Sequence, residues 1–108
     1  LGRNYTLLAA DSRAAGFPDF ATDFRKARQC LDEALERQPE WIVLGTNYTL
    51  LADKCSEAGV PGSIGDLRKA LRCFTEASER QPDSRVITDR IRQIEKRLQD
   101  PHDNLHPY

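Results

Sequence analysis

The sequence predicts an all-α fold, an α-α superhelix (solenoid) of two helix-turn-helix repeats closed by a C-terminal capping helix. Three observations carry that prediction. The chain repeats itself at an offset of 43 residues. Apolar residues recur at helical spacing inside each copy, and glycine and proline fall at the joints between segments.

The repeat is visible by eye. Leu1-Gly2-Arg3-Asn4-Tyr5-Thr6-Leu7-Leu8-Ala9 returns as Leu44-Gly45-Thr46-Asn47-Tyr48-Thr49-Leu50-Leu51-Ala52. The same offset carries Asp23-Phe24-Arg25-Lys26-Ala27 onto Asp66-Leu67-Arg68-Lys69-Ala70, and Glu36-Arg37-Gln38-Pro39 onto Glu79-Arg80-Gln81-Pro82. Residues 1–43 align on 44–86 without a gap and with 23 identities. A unit of this length cannot bury its apolar face alone, so neighbouring copies must stack to make a continuous core.

In the first repeat the pattern predicts a helix from Gly2 to about Ala15, a loop, and a second helix from about Asp23 to Gln38. In the second repeat Trp41, Leu44, Tyr48, Leu51, Cys55 and Ala58 step by three and four residues, which holds one face of a helix. Pro39 precedes that helix and Gly59 follows it as a C-terminal stop. The stretch Gly59-Val60-Pro61-Gly62-Ser63-Ile64-Gly65 is dense in breakers and reads as a loop. The next helix is expected from Asp66, whose carboxylate suits the first turn. Leu67, Ala70, Leu71, Phe74 and Ala77 point inward, and the helix ends near Gln81 before Pro82. The small residues Ala27, Ala34, Ala70 and Ala77 permit close helix–helix approach. From Ile87 the identities vanish, yet Ile87, Ile91, Ile94 and Leu98 keep the apolar positions among charged neighbours. One apolar stripe on a charged helix, from about Ser84 to Asp100, is what a capping element requires. Residues 1–98 thus read as the array and 101–108 as a flexible tail.

The segment Gly65-Asp66-Leu67-x-x-Ala70-Leu71-x-x-Phe74-x-x-Ala77-x-x-x-x-Pro82 resembles the second half of a tetratricopeptide repeat: glycine, small alanines, aromatic and closing proline stand at the family's spacing. The first helix fits the family's signature in two ways. One is Trp41-x-x-Leu44-Gly45-x-x-Tyr48. The other is Tyr48-x-x-Leu51-Ala52-x-x-Cys55-x-x-x-Gly59, which keeps the spacing to the helix-ending glycine and is preferred here. The family's repeat is about 34 residues long. The longer repeat makes this chain similar to a long variant, with the surplus expected in the inter-helix loop and in an extra turn at the start of the first helix. The resemblance covers residues 1 to about 98 and implies a protein-binding scaffold.

Composition agrees with a single soluble domain. Among 108 residues 39% are hydrophobic and 31% charged, with a net charge of −1. That neutral total argues against nucleic-acid or membrane-surface binding. No run approaches the roughly 20 apolar residues of a membrane span, and no charged-then-apolar leader opens the chain. Because the first residue is Leu1 and not methionine, the sequence reads as a fragment of a larger protein. Cys30, Cys55 and Cys73 form an odd, sparse set that suits reduced thiols in an intracellular, cytoplasmic protein. Cys30 and Cys73 are one position in two repeats and read as small core residues.

Nothing in the pattern points to catalysis, a cofactor or a small-molecule substrate. His102 and His106 stand four apart beside Asp103, but prolines flank them, which argues against a metal site. No cysteine has a histidine near it in sequence, and the glycines around Pro61 lack the lysine of a phosphate loop. The formal glycosylation sequons at Asn4 and Asn47 fall inside a helix at a repeated position.

Three surfaces remain. In the resembled family the first helix of each repeat lines a concave groove that holds peptides. The positions so implied are Arg3, Thr6, Ala10 and Arg13, then Thr46, Thr49, Asp53, Ser56 and Glu57, then Arg92 and Lys96. The expected partner is a peptide or protein segment. A second surface is a basic ladder, Arg25, Lys26 and Arg28 alongside Arg68, Lys69 and Arg72, which could serve an acidic partner or nucleic acid. Intrahelical pairing, Arg72 with Glu76 and Gln29 with Glu33, is the competing expectation. The third is the face of the first helix, through which the chain could stack or form a homo-oligomer in a structural role.

Overall fold

The computed structural model describes residues 2–16, 20–37 and 40–99, and among these the regular structure is all helix, with no strand. The helices are α1 (Gly2–Ala14), α2 (Phe20–Arg37), α3 (Trp41–Ala58), α4 (Ser63–Arg80) and α5 (Arg85–Gln99). The repeat in the sequence is a repeat in space, since moving the bounds of α2 by 43 residues gives those of α4. The histidine pair and the tail from Pro101 lie outside the described residues.

Each joint has a local cause. Gly16 and Gly59, equivalent residues, both take the left-handed conformation, with φ of 83° and 72°. At the end of α3 the Gly59 amide donates to the Ser56 carbonyl and the Val60 amide to the Cys55 carbonyl. This is the Schellman arrangement, and Val60 packs on the core as its hydrophobic companion. At the start of α5 the Ser84 hydroxyl accepts from the Ile87 amide at 3.4 Å, a side-chain cap following Pro82.

The hairpin loops are shorter than the density of glycine suggests. Between α3 and α4 only residues 59–62 lie outside the helices, and Ser63, Ile64 and Gly65 form the first turn of α4. In the same way α2 begins at Phe20, three residues before Asp23. The sequence-based loop is too long because Gly65 was counted as a breaker, whereas a helix tolerates one glycine at a cost of about 1 kcal/mol. The surplus length of the repeat sits in the helices, with eighteen residues in each of α3 and α4.

α1 packs on α2 and α3 on α4, α3 also lies against both α1 and α2, and α5 packs on α4. One core runs through all five helices: Ala9 from α1, Phe24, Ala27 and Leu31 from α2, Leu44, Tyr48, Leu51 and Cys55 from α3, Leu67, Ala70, Cys73, Phe74 and Ala77 from α4, and Ile87 and Ile94 from α5. Small residues set the separations. A methyl group on Gly45 would stand 2.8 Å from the ring of Phe74, itself buried, so α3 and α4 approach as closely as they do only because position 45 has no side chain. A methyl group on Gly65 would meet nothing within 4 Å.

Two glycines thus make opposite demands. Gly65→Ala is expected to raise stability by up to about 1 kcal/mol through helix propensity. Gly45→Ala gains the same propensity but overpacks the Phe74 site, and a net loss of about 1–2 kcal/mol is expected. Denaturant titration of both variants checks the pair; a Gly45→Ala protein as stable as the parent would show that α3 and α4 can part without cost.

Candidate interaction surfaces

The first surface follows α1, α3 and α5. α1 lies against α3, and α5 is tied to α3 by an ion pair from Arg97 to Asp53 at 2.7 Å. Of the predicted groove residues, Arg3, Arg13, Ser56, Glu57, Arg92 and Lys96 are exposed, while Ala10, Thr46, Thr49 and Asp53 are half-buried. Thr6 does not belong to this surface: it is wholly buried. A threonine looked polar enough for a groove, but its methyl group lets it pack like a valine wherever its hydroxyl is bonded.

Partnering sorts the rest. The Thr46 and Thr49 hydroxyls donate back to the carbonyls of Ile42 and Gly45, so neither offers its proton to a ligand. Asp53 is held by Arg97, and Glu57 meets Lys54 at 3.5 Å. Arg3, Arg13, Arg92 and Lys96 have no ion-pair partner among the described residues. The sequence suggests a face of mixed sign; the charge left over in the structure is positive.

Two members of the basic ladder on α2 and α4, Arg28 and Lys69, are ion-paired within the fold, while Arg25, Lys26, Arg68 and Arg72 are exposed. Arg28 donates to Asp66 from both Nε (2.9 Å) and Nη2 (2.7 Å), and Asp66 is only 1% exposed. The same Nη2 reaches the Cys55 sulfur at 3.6 Å and the Pro61 carbonyl at 3.5 Å. Lys69 donates to Asp32 at 2.7 Å, and the Tyr48 hydroxyl donates to the same carboxylate oxygen at 2.6 Å. The Lys69 ammonium also lies 5.7 Å from the centre of the Tyr48 ring. Arg72 shares a hollow with Asp32, Glu36 and Lys69. The expected Arg72–Glu76 pair is absent among the described residues, because Glu76 turns to Arg80 at 3.2 Å, whereas Gln29 does donate to Glu33. Acidic groups therefore interrupt the stripe. Sequence spacing alone concealed this, since Arg28 finds its partner thirty-eight residues away.

A third feature is an apolar cleft at the start of α3. Trp41, Ile42 and Val43 line an open cleft of about 610 Å³ with Ala77, Arg80 and Gln81. Ile42 and Val43 are exposed, and the Arg80 guanidinium lies 5.4 Å from the Trp41 ring centre. The available signal was the run Trp41-Ile42-Val43-Leu44, four consecutive apolar residues on a helix. One helical face cannot cover all four, and only Leu44 is buried.

All three cysteines are free thiols; Cys55 and Cys73 are buried and Cys30 half-buried. Among the described residues no cluster of His, Cys, Asp and Glu could hold a metal ion. No helix there is long and apolar enough to cross a membrane.

Burial pushes the Cys55 and Cys73 thiols up to about 11 from an ordinary 9.0, and burial together with the bond to Asp32 raises the Tyr48 phenol well above its ordinary 10.0. A raised folded-state pKa means that the unfolded chain releases the proton first. The resulting stability is fully present below about pH 9 and is lost as pH rises toward 11 and beyond. Unfolding temperature is expected to stay level up to about pH 9 and then to fall steadily; a level profile through pH 11 would mean these groups are solvated. Cys30 is expected to react with a thiol reagent well before Cys55 and Cys73 do.

Compared with protein-family models, curated proteins and solved structures, the chain finds no match.

Proposed function

We propose that the chain is a non-catalytic interaction module, a tetratricopeptide-like helical repeat that holds an acidic peptide or protein segment along α1, α3 and α5. The observation that carries this reading is the set of four cations, Arg3, Arg13, Arg92 and Lys96, exposed and without an ion-pair partner among the described residues, whereas Thr46, Thr49 and Asp53 between them are already engaged. A buried or paired charge is unavailable to a ligand. These four are exposed, and with Asp53 neutralised by Arg97 and Glu57 by Lys54 they leave the predicted groove positions net positive. Such a field attracts an acidic segment and fixes its register more than it supplies affinity.

The packing supports the family resemblance through a different alignment of the first helix from the one preferred on spacing. Gly45 lies under the ring of Phe74, and Trp41 shares a cleft with Ala77. A glycine beneath an aromatic ring gives a physical reason for both residue types, and it favours the reading Trp41-x-x-Leu44-Gly45-x-x-Tyr48.

Selection from a random displayed peptide library against the intact chain tests the proposal. Sequences rich in Asp and Glu should emerge, and their binding should weaken as salt rises. The triple change Arg13→Glu, Arg92→Glu and Lys96→Glu should abolish that binding while leaving the helical content intact. Selected peptides that bind the triple variant equally well would refute the groove, as would a consensus without acidic residues.

A further inference from the structure

The contact between the two repeats shows what its receiving side needs. Two side chains of the second repeat accept the first, Asp66 taking Arg28 and Lys69 taking Asp32, and α3, which packs on α1 and α2 as well as on α4, buries Leu51 completely. The offset of 43 residues returns each in the first repeat unchanged, as Asp23, Lys26 and Leu8. There they are unused. Leu8 is 50% exposed against 0% for Leu51. Lys26 is exposed and Asp23 half-buried, and neither has an ion-pair partner among the described residues.

The other junction behaves differently. Where α4 meets α5, the residues equivalent to Arg28 and Asp32 are Leu71 and Thr75, and the residue equivalent to Tyr48 is Ile91. The offering pair and the tyrosine that meets it are both replaced at that boundary, so the charged contact is not a constant of the repeat. The arrangement is also directional. Arg28 and Asp32 are one turn apart on α2, as Asp66 and Lys69 are on α4, with opposite order of sign. Sliding one helix by a turn would oppose like charges.

We infer that the exposed face formed by Leu8, Asp23 and Lys26 is a docking site for a further helical hairpin of this 43-residue pattern, one whose second helix carries an arginine and, four residues on, an aspartate. The inference is independent of the groove on α1, α3 and α5. A second copy of this chain is a poor occupant. Its Arg28 and Asp32 are engaged inside it, and its α4 carries Leu71 and Thr75 instead.

The test extends the chain at its N-terminus with one more copy of residues 1–43, joined as Val43 joins Leu44. Hydrogen exchange of the α1 amides is compared with that of the 108-residue chain. The added hairpin should slow α1 exchange by about tenfold or more. Asp23→Asn with Lys26→Ala in the original first repeat should remove the slowing, while the same changes in the unextended chain lower its unfolding temperature only slightly, through the loss of a carboxylate in the first turn of α2. Asp23→Arg combined with Arg28→Asp in the added copy should restore it. Absence of slowing, slowing that survives the double change, or concentration-dependent protection of α1 in the unextended chain would each overturn the inference.

Discussion

Asp66 is a carboxylate with almost no access to water, placed in the first turn of a helix that otherwise buries Leu67, Ala70, Cys73 and Phe74. An isolated charge there would cost several kcal/mol. It is tolerated because Arg28 arrives from the preceding hairpin with a two-point grip, the geometry in which guanidinium and carboxylate bond best. The interaction therefore does more to specify the structure than to stabilise it. A leucine pair would fill the same space, but it would not say which hairpin sits where.

Much of the surrounding structure answers to that pair. The loop between α3 and α4 is held to α2 through the bond from Arg28 to the Pro61 carbonyl. Gly62, at a φ of 110°, stands where a methyl group would come within 2.6 Å of the Arg28 Nη2. The Cys55 sulfur borders the same guanidinium from α3. One turn along, Asp32 gathers Lys69 and the Tyr48 hydroxyl and repeats the tie with reversed sign. That second pair is more than a third exposed on both sides and contributes little energy by itself. Its role is register: two opposed pairs a turn apart admit only one alignment of α2 with α4.

The helices and their core face were legible because periodicity and the 43-residue echo are local or self-referential signals. Phe74, Leu67 and Tyr48 could be assigned inward from spacing alone. The site was less legible, for a physical reason. Whether a charge is free depends on what faces it across the fold. Arg28 looked like a surface residue because its partner is distant in sequence, and Thr6 looked like a groove residue because a hydroxyl can be buried once bonded. Spacing places Trp41 on the apolar face of its helix, and the excess of apolar residues beside it, Ile42 and Val43, implies exposed apolar surface. Gly65 reads as a breaker by composition, yet it lies within the first turn of α4, and the left-handed turn falls at Gly62.

Arg28 and Asp66 act as a coupled pair that joins the two repeats. A double-mutant cycle on the intact chain, read by denaturant unfolding, tests it most directly. Arg28→Met alone should cost about 3 kcal/mol by stranding Asp66, and Arg28→Met with Asp66→Leu should recover most of that loss. A single variant that loses less than about 1 kcal/mol, or a double variant that shows plain additivity, would contradict the claim.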